Sequence, residues 1–443
     1  MSFNTGGRAI VLVLVVQAVF AQPYRIGPNV QVSTSYSTIR HYEAFAGADS
    51  KNAKHLIACA YAVEADGRID NFFYVSFDRG KSWSRTLVVP SAVDPSCEIG
   101  RDGTAFAASI LDDGLRVYRS RDGGRNWQQA SITAESRNID RAYLTVDDSK
   151  SAFSGRVYVH AYRQSKNPPA LVLFYASTDN GQRFPKLIEN QATEFPKPWY
   201  FPANGVVSDD GTFFGLLAEL DDTRRNMSYK TDAASAPQAT NATLRIFASR
   251  DGGQSLDSVG KIPGVYYDWR VAQLSMAGLA IDRSTGPHHG RLYAIWPDAR
   301  LDHRTQIFLA HSDDQGRSWS EPMVVSDDDL GISPNPAANH FMPAIAVNRR
   351  GIVGITWYDR RDNPDNFGYW VRFRASMDGG ANWLPSTRIS PEVHKASEDT
   401  RKNSGDTAGL AADAGGDFHP AWVDNRTGIP QMWTATVHVI ASR

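Results

Sequence analysis

Short apolar, β-prone runs recur along the whole chain, separated by polar turns. Pairs of them read GIVGITWYD then YWVRFRAS, GRLYAIWPD then QIFLAHS, GRVYVHAY then LVLFYAS, and TFFGLLAEL then TLRIFAS, each run about the length of one strand. A further run precedes several pairs, as in PAIAVNRRG, GLAIDRSTG and AYLTVDDS. A polar turn follows each pair: SFDRGKSW (76–83), SRDGGRNW (120–127), STDNGQRF (177–184), SRDGGQSL (249–256), SDDQGRSW (312–319) and SMDGGANW (376–383). These six matches to S-x-D-x-G-x-x-aromatic, the last position softened once to Leu256, start 44, 57, 72, 63 and 64 residues apart. That period suits one four-stranded propeller blade with loops of variable length, the turn joining the third strand to the fourth.

Each place in the turn has a mechanical reason. The Asp carboxylate accepts backbone N–H groups of its own turn, the Gly permits positive φ, and the Ser hydroxyl ties the turn's entrance. The aromatic then fills the wedge between sheets. The phrase resembles the Asp-box, or BNR repeat, of the sialidase (neuraminidase) superfamily, and the resemblance runs over nearly the whole chain after its first residues. It implies an all-β propeller of antiparallel blades. The tail TAGLAADAGGDFHPAWVDNRTGIPQMWTATVHV supplies three strands and no box, and PNVQVSTS near the amino end is the natural fourth strand to cover its open edge. Six boxes plus one closing blade give seven blades, with a six-bladed ring as the alternative. Residues 22–443 form one domain in this reading. A polar stretch, 222–243, is expected as a loop between the second and third strands of the fourth blade, and Asn226 and Asn241 in it begin N-x-S/T sequons.

The amino end, MSFNTGGR followed by AIVLVLVVQAVFA, has the layout of a secretory signal peptide cleaved near Ala21, which places the mature chain outside the cytoplasm, secreted or periplasmic. The rest of the chain offers no membrane-spanning stretch. Lys plus Arg total 47 against 48 for Asp plus Glu, so no general field exists to hold nucleic acid or an anionic membrane. Two cysteines, Cys59 and Cys97, exclude a disulfide framework and leave either one bridge between neighbouring segments or two unpaired thiols. The runs DDD (327–329) and DRSTGPHHG (282–290) lack a defined ligand spacing, so neither a metal nor another cofactor is expected.

Up-and-down strands put the boxes on one face, and functional side chains are expected on the other. That face carries W-x-D-x-R three times, Trp296–Arg300, Trp357–Arg361 and Trp422–Arg426. The arginines Arg300, Arg361 and Arg426 either form a carboxylate-binding group, as the arginine triad of sialidases does on its acidic sugar, or tie each motif internally. The segments that enter the innermost strands do not repeat: RHYEA, DPSCE, IDRAY, KPWYF, YYDWR, NHFMP and NSGDT. Together they would line the mouth of an axial funnel, where propeller enzymes keep their sites. By the resemblance, Tyr42 beside Glu43 parallels a tyrosine nucleophile activated by a glutamate, although strict alternation would point the two to opposite faces. Asp94 or Asp140 is then the candidate general acid. Arg141 and Arg270 would hold an anionic substituent, and Trp199, Tyr200 and Trp269 would stack on sugar rings, with His340 and Asp406 completing the rim. Tyr24-Arg25-Ile26-Gly27 matches the family's Phe/Tyr-Arg-Ile-Pro motif except at its fourth place. The expected partner is a carbohydrate, acidic if the arginines bind it. The expected chemistry is glycosidic hydrolysis; the alternatives are β-elimination with His41 or His340 as base, and a propeller that binds glycan or protein without turnover.

Overall fold

The computed structural model describes residues 22–440 apart from 133–137, 164–170, 191–193, 195–198, 222–238, 269–276, 302–303, 328–337, 364–367 and 396–403. Seven antiparallel sheets follow one another around a ring. Their innermost strands are Arg40–Ala48, Val93–Ile99, Ile139–Val146, Trp199–Val207, Gly278–Ile281, His340–Val347 and Gly409–Ala412, in blades one to seven. Each chain segment then steps outward strand by strand, so that in blade one Arg40–Ala48 pairs with Leu56–Val63, which pairs with Ile69–Ser76 and then Ser84–Val89.

The seventh blade takes its outer strand from the other end of the chain. Val30 and Gln31 pair with Thr434 and Trp433, and Tyr24–Ile26 pair antiparallel with Val437–Val439. The Tyr24 hydroxyl accepts the backbone N–H of Ala375 at 3.0 Å, fixing this seam to blade six as well. Arg25 is exposed on the seam strand, opposite His438.

Period-2 alternation explains why the ring holds together. Both faces of a blade's middle strands are apolar, so each blade buries one face against the blade before it and the other against the blade after it. Among the described residues the buried apolar side chains fall into seven clusters, one for each junction between blades. A sheet ring of this kind leaves no exposed edge at the core.

All six boxes close by the same bonds. The Ser hydroxyl donates to the box Asp at 2.6–2.9 Å and accepts the N–H of the box Gly at 2.7–3.0 Å. Trp83, Trp319 and Trp383 each donate their indole N–H to the carbonyl of the same Gly at 3.1 Å, whereas Trp127 turns to the Thr86 hydroxyl. Boxes are also gripped from the preceding blade. His55 Nε2 meets the Gly123 carbonyl at 2.9 Å, Arg291 donates to the Gly379 carbonyl at 3.0 Å, and Arg156 reaches the Gly252 carbonyl.

The polar insertion of blade four is shorter than 222–243. The third strand starts at Ala239, and Asn241 pairs with Tyr266 within the sheet, so that sequon lies on a strand; Asn226 lies outside the described residues, as do residues 1–21.

Candidate functional site

Five innermost strands share an irregularity that plain alternation misses. At each, two residues of the inner strand face a single residue of the second, at Glu43-Ala44, Asp94-Pro95, Arg141-Ala142, Ala203-Asn204 and Met342-Pro343. At four of them the first of the two is left-handed, with φ of 56° at Glu43, 50° at Asp94, 53° at Arg141 and 55° at Met342. Each such residue costs about 1 kcal/mol or more of backbone strain, and bulges of this kind re-aim a side chain next to functional sites. The second place is Ala or Pro in those four blades, small enough for the strand to turn.

The re-aimed side chains converge. Arg141 donates from both terminal nitrogens to Glu43, at 3.0 and 3.1 Å, and lies 3.4 Å from an Asp94 carboxyl oxygen. The same guanidinium pairs with Asp406 from blade seven, and the Arg141 backbone N–H donates to the second Asp94 oxygen at 3.1 Å. The Glu43 and Asp94 carboxyls thus meet at the same nitrogen, Arg141 Nη1. Asp140 stands beside the group and accepts the Tyr162 hydroxyl at 2.8 Å. Gly405 makes room for this packing: at φ +75° an added Cβ would fall 2.3 Å from Glu43 Cγ.

Four carboxyls thus surround one guanidinium, with side chains only 8–12 % exposed at Arg141, Glu43, Asp406 and Asp94. Burial pushes the Asp94 carboxyl up to about 8, the nearby Glu43 and Asp140 adding to what Arg141 opposes. Burial likewise raises Glu43, against the pull of Arg141. Desolvation alone would lower Arg141, but Glu43 and Asp94 outweigh it and hold the guanidinium charged well above its ordinary value. Next to the cluster lies a cavity of ≈ 50 Å³ lined by Phe45, Tyr143, Asn204, Met342, Asp406 and Thr407 among others, room for a few waters or a small substituent.

Of the candidates read from the sequence, Glu43, Asp94, Asp140, Arg141 and Asp406 are brought together. Tyr42 is buried and stacks on its cross-strand partner Tyr61 with ring centroids 5.2 Å apart, and Tyr61 lies within electrostatic reach of Glu43, Arg141 and Asp94. Tyr200 is fully buried in the core between blades three and four, because alternation from Phe201 puts it on the inner face; it offers no platform to a sugar. Trp269 and Arg270, and the side chain of Trp199, lie outside the described residues. His340 is fully buried with Nδ1 3.3 Å from Asp359. His41, also fully buried, is bonded to the Tyr74 hydroxyl at 2.6 Å, and burial drops its pKa to about 4. Neither histidine is placed to abstract a proton from a bound sugar.

Arg300, Arg361 and Arg426 close their own motifs. In each, the indole N–H and the Arg Nε both reach the motif Asp: Trp296 and Arg300 to Asp298, Trp357 and Arg361 to Asp359, Trp422 and Arg426 to Asp424, at 2.6–3.0 Å. The Asp side chains are almost completely buried, so this is a tie that finishes the second strand. Among the described residues no group of three or more His, Cys, Asp or Glu side chains is arranged to hold a metal ion. Cys59 and Cys97 are both buried free thiols.

The signal that the sequence reading missed is the doublet at the bulge. A long or charged residue followed by Ala or Pro occurs at the same place in blades one, two, three and six, and it marks the residues that leave the strand's alternation.

Fold and turns together define an Asp-box β-propeller of seven blades. Residues 74–85 match the BNR/Asp-box repeat family model. No curated protein sequence matches the chain. Among solved structures it is similar to the Hadza microbial sialidase Hz136, at 12% identity and TM-score 0.47, over 93% of this chain and 91% of that one. It is also similar to the Penicillium chrysogenum α-L-arabinanase complexed with arabinobiose, at 13% identity and TM-score 0.46, over 94% and 98%. YCF48 bound to the D1 peptide is similar as well, at 10% identity and TM-score 0.44, over 95% and 96%.

Proposed function

We propose that the chain is a glycan hydrolase acting at the axial mouth of its propeller, with Asp94 as general acid and Glu43 as its ionised partner. The observation that carries this reading is the convergence of Glu43, Asp94 and Asp406 from three blades on the buried Arg141 guanidinium, with Asp94 keeping its proton at neutral pH. Glycoside hydrolysis needs one carboxyl protonated at working pH to supply the leaving oxygen with a proton, and a second that stays ionised to steady the developing positive charge on the sugar. Burial raises both carboxyls, and the Arg141 guanidinium, bonded to Glu43 through both terminal nitrogens, is the group that would keep Glu43 ionised beside a protonated Asp94. The box-bearing fold is the scaffold for this work and takes no part in it.

The substrate class follows from charge. Arg141 already serves Glu43, Asp94 and Asp406, and the carboxyls outnumber the guanidinium, so an acidic sugar meets a repulsive field. A neutral sugar fits this mouth better than a sialic acid. Export through residues 1–21 to a compartment where such glycans occur belongs to the same proposal.

The test is a screen of the purified chain without residues 1–21 against neutral and acidic glycans, with release of reducing sugar as the readout and Asp94→Asn as the control. Release from a neutral glycan that falls at least about 100-fold in Asp94→Asn supports the reading, since one general acid contributes about that much or more. Binding without release, equal in both proteins, would make the propeller a binding module. The internal satisfaction of Arg141 is what favours that second reading.

A further inference from the structure

Cys59 sits in the middle of the second strand of blade one, opposite Phe45 on one side and Phe73 on the other. Cys97 lies in the innermost strand of blade two, opposite Ala107. Both are completely buried in the one apolar cluster that joins these two blades, where the Cys59 thiol is near enough to add to the rise that burial imposes on Cys97. The strands are pressed close here: a Cβ added at Gly47 of blade one would lie 3.4 Å from the Cys97 carbonyl and 3.3 Å from Glu98 Cα.

We propose that Cys59 and Cys97 form a disulfide that staples blade one to blade two when the chain folds in an oxidising compartment. In register, Cys59 pairs with Phe45, two residues after Glu43, and Cys97 comes three residues after Asp94. The bridge therefore joins the two strand systems that present the carboxyl pair, and it limits how far their bulges can separate. It does not depend on what reaction those carboxyls perform.

The chemistry balances with a low-molecular-weight disulfide such as glutathione disulfide as oxidant. One cysteine thiolate attacks it and expels one glutathione thiolate, giving a mixed disulfide. The second cysteine then attacks the protein sulfur and expels the other glutathione. Two thiol protons are released and picked up by the two departing thiolates, and the two electrons lost by the cysteines reduce the glutathione disulfide. Burial pushes the Cys97 thiol up, so exchange in the finished core is slow, and the bridge forms before the junction closes.

The experiment refolds the reduced, full chain in a buffer of reduced and oxidised glutathione, then denatures and alkylates it. The expected product takes up no alkylating agent, is lighter than the reduced chain by two hydrogens, and yields a crosslinked peptide holding Cys59 and Cys97. The Cys97→Ser chain treated alike is expected to keep Cys59 alkylatable or capped by one glutathione. A thermal scan without reductant is expected to give a Tm higher by about 2 °C or more than the same protein with reductant. Two alkylatable thiols after refolding, or a glutathione on each, would overturn the proposal. So would a bridged chain that melts below the reduced one.

Discussion

Arg141 and Glu43 form a two-pronged ion pair between blades three and one, reaching past blade two, whose Asp94 closes the third side of the guanidinium. A contact that skips a blade exists only because the innermost strands meet at the axis and the bulges turn these side chains toward it. Removing one partner of a buried pair strands the other in a poorly solvating site. Arg141→Met is therefore expected to cost about 3–5 kcal/mol in urea unfolding at pH 8. The cost should shrink at pH 5, where the stranded carboxyls accept protons instead. An Arg141→Met chain as stable as the parent at pH 8 would show that the cluster is solvated and the pair unimportant.

Titration of the same carboxyls gives stability a slope with an unusual sign. Asp94 is raised from an ordinary aspartate value to about 8 in the fold, so the folded state holds a proton that the unfolded chain gives up. Its contribution is complete below about pH 4 and is lost as pH climbs toward 8. Box aspartates act in the opposite sense: hydrogen bonds from Ser318 hold Asp314 down to about 2, so that its contribution is lost only as pH falls below the ordinary range. Asp94→Asn should flatten the fall of Tm between pH 5 and 8 and leave the acid limb below pH 4 unchanged. Parallel Tm profiles for the two proteins across pH 5–8 would contradict this assignment. For turnover, the proposed general acid predicts a descending limb near pH 8 in the parent.

Asp359 gathers the Trp357 indole, Arg361 and His340 in a site it shares with no solvent. Burial opposes its charge, yet His340 and Arg361 together hold it far below the ordinary carboxylate range. Asp359→Ala should cost about 3–5 kcal/mol, because three polar partners lose their acceptor at once. Turnover per folded molecule should change less than about twofold, since the motif does not touch the mouth cluster. A rise in KM for Arg361→Ala with unchanged melting would reverse the assignment and return the three arginines to ligand binding.

Much of the fold was legible because its signals are local and repeated. The Ser, Asp and Gly of each box satisfy one another within the turn, so six copies announce six hairpins, and the unpaired strand of the tail required PNVQVSTS. The site was legible only in outline. Glu43, Asp94, Arg141 and Asp406 were picked as rim residues, but their mutual contacts depend on left-handed bulges that a period-2 reading of the strands cannot supply. Strict alternation put Tyr42 and Glu43 on opposite faces without the bulge that re-aims Glu43, and it left Tyr200 as a candidate platform where the blade junction buries it. The W-x-D-x-R arginines fitted two readings from sequence because a buried Asp looks the same in text as an exposed one.

The box glycines allow a test of how tightly the blades are wedged. Gly124 has φ +93°, and an added Cβ would lie 2.5 Å from Val75 Cγ1 of the neighbouring blade; Gly67 has a similar φ of +86° with nothing within 4 Å. Alanine at either place meets the same left-handed backbone, worth about 1–2 kcal/mol. Only at Gly124 does it also drive a methyl into a packed junction, adding about 1–3 kcal/mol of overpacking. Gly124→Ala should therefore melt well below Gly67→Ala, and pairing it with Val75→Ala should recover part of the difference by opening the space that the methyl needs. Equal melting of the two single variants would mean that the junction yields, and that the boxes close their own turns without helping to hold one blade against the next.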